Sequence, residues 1–189
     1  MPTPPDFTAG SVLTAAQLNK GGLWVMTPTG ATNGTVSGNK VTMDNTITSV
    51  TVTGVFTNDF DNYLVMVSGG SASTNISIRM QLGSTTTNYL GSFLYTNYAA
   101  TPIAIGGTAD SSWVYAGSGT TNGLAMSATI CNPKLAKATY CTAQAANGTF
   151  AGFFTGMLNN TTQYSDLVLS PSTGTMSGGT IVVYGYNNG

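Results

Sequence analysis

The chain has 189 residues with only five basic and six acidic side chains, and it contains neither histidine nor glutamate. Those absences remove the groups that most often move protons near neutral pH, so serine-nucleophile and histidine-based acid–base chemistry lack their usual base. A net charge of −1, with scattered lysines and one arginine, excludes a phosphate-neutralising stripe and disfavours binding to an anionic membrane surface.

The hydrophobic fraction of 41% is ordinary, while the charged fraction of 6% is far below the usual quarter. Solubility therefore rests on hydroxyls and amides, which suits a protein built into an assembly. At 19.3 kDa the chain is long enough for one domain that buries roughly 70% of its extended-chain surface. No run approaches the eighteen apolar residues of a membrane span. The start, Met1 to Phe7, lacks the basic and apolar regions of a secretory signal, so synthesis in a cytoplasm without export is expected.

Along the chain, Pro2, Pro4 and Pro5 hold an extended entry. Thr14 is placed to cap a short helix over Ala15, Ala16, Gln17 and Leu18, which Gly21 and Gly22 stop. One and a half turns are not stable alone. Residues 1–22 therefore read as an attachment segment, with Phe7, Val12, Leu13 and Leu18 as its apolar anchors.

From Leu23 onward the signals are β. Val50–Phe56, Asn75–Leu82 and Gly123–Ile130 alternate apolar and polar residues, and Thr180–Tyr186 forms a closing strand. Tyr63-Leu-Val-Met-Val67 is continuously apolar, the pattern of a strand buried on both faces. Turn clusters are read at Thr29–Gly34, Ser68–Ser71, Ala116–Gly119 and Ser170–Gly174. Strands at this spacing, without a repeat of solenoid length, predict an all-β antiparallel sandwich of the jelly-roll kind over residues 23–189.

Sites for chemistry are few. Asp59 and Asp61 stand two apart in Thr57–Tyr63. They would share a face on a strand or offer oxygens to calcium in a loop, but the favoured reading is a polar turn whose side chains bond the backbone. Cys131 and Cys141 are spaced to link the ends of a hairpin, yet thiols made in a reducing compartment are expected reduced and buried. Two thiolates without histidine make a poor metal site. Asn-x-Ser/Thr occurs at Asn33, Asn75, Asn147, Asn159 and Asn160 as a by-product of composition. Tyr89, Phe93, Tyr95, Tyr98, Trp113 and Tyr115 crowd the middle third. Beside Asn and Thr, such rings form sugar-binding surfaces; the favoured reading divides them between the core and a subunit interface.

Three stretches carry a resemblance. Phe7-Thr-Ala-Gly-Ser-Val-Leu-Thr-Ala-Ala-Gln-Leu-Asn19 resembles a segment near the start of many tailed-bacteriophage virion proteins. Phe56-Thr-Asn-Asp-Phe-Asp-Asn-Tyr63-Leu-Val-Met-Val67 resembles a strand entry of phage minor tail, tail-fibre and head-fibre-like proteins, and Ser177–Tyr186 resembles their C-terminal strand. Asn132-Pro133-Lys134 sits where such proteins carry an Asn-Pro turn. The resemblance implies a non-enzymatic virion protein with a β-sandwich body, often a homotrimer, on the tail tip or fibre or as a head decoration, assembled in the host cytoplasm.

That reading expects no catalytic residue, metal or cofactor, and no nucleic acid or membrane insertion. Its partners are copies of itself, other virion proteins and a host cell-surface glycan. Tyr95, Tyr98, Trp113 and Tyr115 are the candidate ligand or interface aromatics. The alternatives are a receptor- or carbohydrate-binding tail protein with depolymerase activity, acting through aspartates, and a free carbohydrate-binding module.

Overall fold

The computed structural model describes residues 22–186. The anchors Phe7, Val12, Leu13 and Leu18, and the short helix expected around them, lie outside the described residues. Within the described residues the chain is all strand and turn, as the periodicity predicts, with no helix.

The strands in order are β1 (Leu23–Val25), β2 (Gly30–Thr32), β3 (Gly34–Ser37), β4 (Lys40–Met43), β5 (Val50–Thr53) and β6 (Asn62–Gly69). There follow β7 (Ser71–Ala72), β8 (Ile76–Leu82), β9 (Tyr89–Thr96), β10 (Pro102–Asp110), β11 (Trp113–Thr120) and β12 (Gly123–Cys131). The chain ends with β13 (Thr139–Ala146), β14 (Ala151–Leu158), β15 (Leu167–Pro171), β16 (Met176–Ser177) and β17 (Thr180–Tyr186). All pairings are antiparallel.

Strand β12 is the pivot. One edge pairs with β6 along its length, and the other is divided between β11 at its start and β13 at its end. From β13 the sheet runs on through β14 and β9 to the edge strand β10; from β11 it runs through β8, β15 and β5 to β2. On the far side of β6 lies β17, whose outer edge is shared by β4 and β1. The two branches enclose one buried cluster, in which Val50, Ile78, Met80, Leu82 and Leu167 meet Val65, Ala128, Ile130 and Val183. Apolar area removed from water there, at roughly 25 cal/mol per Å², is the main stabilising term.

Where the ladder divides, Ser118 replaces it. Its hydroxyl donates to the Ala146 carbonyl at 2.6 Å and accepts from the Ala146 amide at 3.0 Å. A β11 side chain thus satisfies the backbone of β13 where no neighbouring strand is in register to do so.

Three local expectations are corrected. Ala116–Gly119 is not a turn but lies inside β11. A Cβ on Gly117 would stand 2.7 Å from the Met126 Cβ, so glycine here permits close approach of β11 and β12. The apolar run Tyr63–Val67 is not buried on both faces: Tyr63, Val65 and Val67 are buried, Leu64 is half-buried and Met66 is 39% exposed. The alternation comes from burial, with apolar residues on the open side as well. The turn reading at Ser68–Ser71 holds at the tight Gly69–Gly70 link between β6 and β7, and that at Ser170–Gly174 holds after Pro171, with Gly69, Gly70 and Gly174 in the left-handed region. Thr29–Gly34 is instead largely strand, since Gly30–Thr32 pairs with β5 as β2 and only Asn33, at φ 58°, turns the chain into β3.

Candidate functional site

The aromatic residues separate into a core pair and a half-exposed cluster. Trp113 and Tyr89 meet edge to face at 5.3 Å, and Trp113 is only 1% exposed. This corrects its place among the candidate ligand or interface aromatics: its indole is buried in the core and not displayed on the outer surface. Tyr89 is tied down as well, its hydroxyl accepting from the Leu82 amide at 2.7 Å.

The register of β11 against β8 slips between Trp113 and Gly117, since Trp113 faces Met80 and Gly117 faces Ile78. Bulges of this kind re-aim side chains. The slipped stretch carries Tyr115, whose ring stacks on Phe93 with centroids 4.2 Å apart. Tyr95, two residues along β9 and therefore on the same face, also stacks on Phe93, at 5.1 Å. Phe150 stands edge-on to all three rings. Burial raises the Tyr115 phenol above its ordinary value; Tyr95 and Asp110 push the same way and the Arg79 guanidinium opposes them.

Asn147 positions this cluster from below. Its side-chain oxygen accepts from the Thr149 amide, the Thr149 hydroxyl and the Phe150 amide, while its amide donates to the Ile76 carbonyl at 3.2 Å. Its own carbonyl accepts from the Tyr98 hydroxyl at 3.0 Å. Tyr98 is 62% exposed and lies in the β9–β10 turn. The structure thus brings Tyr95 and Tyr115 together around Phe93, holds Tyr98 nearby through Asn147, and removes Trp113. Phe93, counted from sequence among the crowded rings but not among the candidate ligand or interface aromatics, organises the cluster together with Phe150, which sequence reasoning missed. Phe150 sits in a loop, where periodicity carries no signal.

The remaining candidates take structural places. Asp59 accepts from the Thr57 hydroxyl at 3.0 Å, and that hydroxyl accepts from the Asp59 amide at 3.3 Å, the local turn favoured from sequence. The Asp61 carbonyl accepts from the Asn132 amide, pinning this turn to the end of β12. Cys131 and Cys141 are both free. Cys131 lies opposite Tyr140 and Cys141 opposite Ile130, so the one-residue offset sends the two thiols to opposite faces of the sheet. Burial pushes both thiols up, most strongly the fully buried Cys141, which suppresses thiolate chemistry.

A wide open surface is the outward face of β9, β14, β13, β12, β6 and β17. Leu94, Phe153 and Gln144 form one row across it, continued on the other side of β12 by Met66 and Val182. Phe153 is 67% and Leu94 59% exposed. Two hollows, of about 550 and 860 Å³, are both lined by Phe153, Leu94, Ser127 and Gln144. Strand β1 extends the face, because Leu23 pairs with Tyr186 and Val25 with Tyr184.

No protein-family model, curated protein or solved structure matches the chain.

Proposed function

We propose that the chain is a non-enzymatic structural component of a tailed-bacteriophage particle, attached through residues 1–22 and presenting the β body as part of a tail tip, fibre or head decoration. Three features support this reading: the resemblance in three stretches, a composition without histidine or glutamate, and a body whose open surfaces are ring clusters and sheet faces. The observation that carries it is the wide outward sheet face bearing Leu94, Phe153 and Met66, a surface suited to contact and not to turnover. Its cysteines and the Asp59–Asp61 pair serve the fold. The assembled form under this proposal is a homotrimer in contact with other virion proteins, built in the host cytoplasm.

A second reading adds host attachment. The exposed Tyr98, with the half-buried Tyr95 and Tyr115 beside Asn147, places rings and amide groups in one region, the combination that recognises a glycan.

The test replaces Leu13 and Leu18 with Asp in particles assembled from the full-length variant. Loss of the chain from purified particles, with an unchanged strand spectrum of the free protein, is the expected outcome. Normal incorporation would remove the attachment role. Release of new reducing ends from host polysaccharide by the purified chain would restore the depolymerase alternative.

A further inference from the structure

We infer that the outward face of β1, β17, β6, β12, β13, β14 and β9 is the surface on which a second copy of this chain packs. The inference stands on the fold and not on the virion assignment, so the two can fail separately.

The first observation is charge. None of these seven strands contains a single charged residue. Two identical faces therefore meet without like-charge repulsion, whereas a charged partner would find nothing to pair with. A net charge of −1 adds little long-range repulsion between copies.

The second is where the exposed apolar surface lies. Among the described residues, the exposed large apolar side chains are Leu23, Val25, Met66, Leu94, Tyr140 and Phe153 on this face, and only Tyr98 and Ile105 elsewhere. Contiguous apolar surface of this kind marks a contact site. Strand β6 makes the same point in its sequence. Leu64 and Met66 are what a two-face-buried strand would carry, yet among the described residues Leu64 is only half-buried and Met66 is exposed.

The third is size and shape. Six long strands about 4.8 Å apart, with outward residues about 6.7 Å apart along each, present roughly 700 Å². A standard stable interface takes about 800 Å² per partner. Phe153 projects beside hollows that its own side chain helps line. In a symmetric assembly each copy's Phe153 would enter a neighbouring copy's hollow, a contact that a closed ring of copies can repeat.

The test is sedimentation equilibrium of the purified full-length chain from about 1 to about 100 μM, a range that reads ordinary interface affinities. The expected mass is a multiple of 19.3 kDa. Phe153→Asp combined with Leu94→Asp should weaken association roughly a hundredfold or more, because each buries a charge at the interface centre. Phe153→Leu should retain association. A companion measurement needs no variant: hydroxyl-radical labelling of Met66, Tyr140, Met157 and Phe153 should fall as concentration rises. A wild-type chain that stays monomeric, an oligomer indifferent to the double substitution, or labelling independent of concentration would each overturn the inference. Glycan or a virion protein as the occupant of this face corresponds to the monomeric outcome.

Discussion

Ser118→Ala tests whether one hydroxyl holds the sheet together where it divides. Ser118 is buried, and its oxygen makes two bonds to the Ala146 backbone, at 2.6 and 3.0 Å. Alanine keeps the strand geometry and nearly all of the packing, so the change isolates the hydrogen bonds. Each bond of this kind nets about 0.5–1.5 kcal/mol, and the two together come to about 1–3 kcal/mol. For a body of this size that is a fall in melting temperature of roughly 2–12 °C, at about 2–4 °C per kcal/mol. The stability change is read by urea unfolding, and the location by hydrogen exchange at the Ala146 amide, which should lose protection before its neighbours on β13. Ser127→Ala, on the open face, is the control and should cost less than about 0.5 kcal/mol. A loss below about 0.5 kcal/mol for Ser118→Ala, with unchanged exchange at Ala146, would refute the claim that a side chain replaces the ladder there.

Two further outcomes are expected. Trp113→Ala should cost about 3–5 kcal/mol as a buried indole is removed, whereas Tyr98→Ala should change stability by less than about 1.5 kcal/mol, because its ring is in solvent and only one hydrogen bond is lost; thermal unfolding of both separates core from surface aromatics. Stability should also decline at alkaline pH. Burial raises the phenols of Tyr63 and Tyr89 above 10, so the folded state holds their protons more tightly than the unfolded chain. Their contribution is complete below pH 10 and is lost as pH climbs through the raised values, so denaturation midpoints should fall there and Tyr63→Phe should shrink the decline. With no histidine, no imidazole titration adds a slope between pH 5 and 8.

The β character was legible because alternation has a direct physical cause. β12 shows it plainly, with Leu124, Met126, Ala128 and Ile130 buried and Ala125 and Ser127 between them exposed. The Asp59–Asp61 turn was legible for the same local reason: a Thr hydroxyl and an Asp carboxylate two residues apart close on each other. Two misreadings share one origin. Glycines mark turns, but Gly117 and Gly119 sit mid-strand because a neighbouring strand's side chains come too close for a Cβ. Apolar runs mark two-sided burial, but Met66 is open in the single chain. Both signals depend on what lies across the sheet, and a linear pattern does not carry that.

The aromatic cluster shows the same limit. Crowding of rings between 89 and 115 was visible, yet the partition was not. Trp113 and Tyr115 are two residues apart, which on a regular strand would give them one environment. The register slip in β11 sends the first into the core and the second against Phe93. Phe150 joins through a loop held by Asn147, a residue that reads in sequence only as part of a sequon.

Composition and periodicity, which act within a few residues, determined that this chain forms strands, that it lacks histidine and glutamate for proton transfer, and that charge is nearly absent from those strands, reaching only β4, β8 and β10 through Lys40, Arg79 and Asp110. Tertiary structure decided which sides of those strands lie together in the open, which ring is core, and that the two cysteines point apart. Those outcomes depend on register between segments as distant as Asn62–Gly69 and Thr180–Tyr186, and register is set by packing of the whole core.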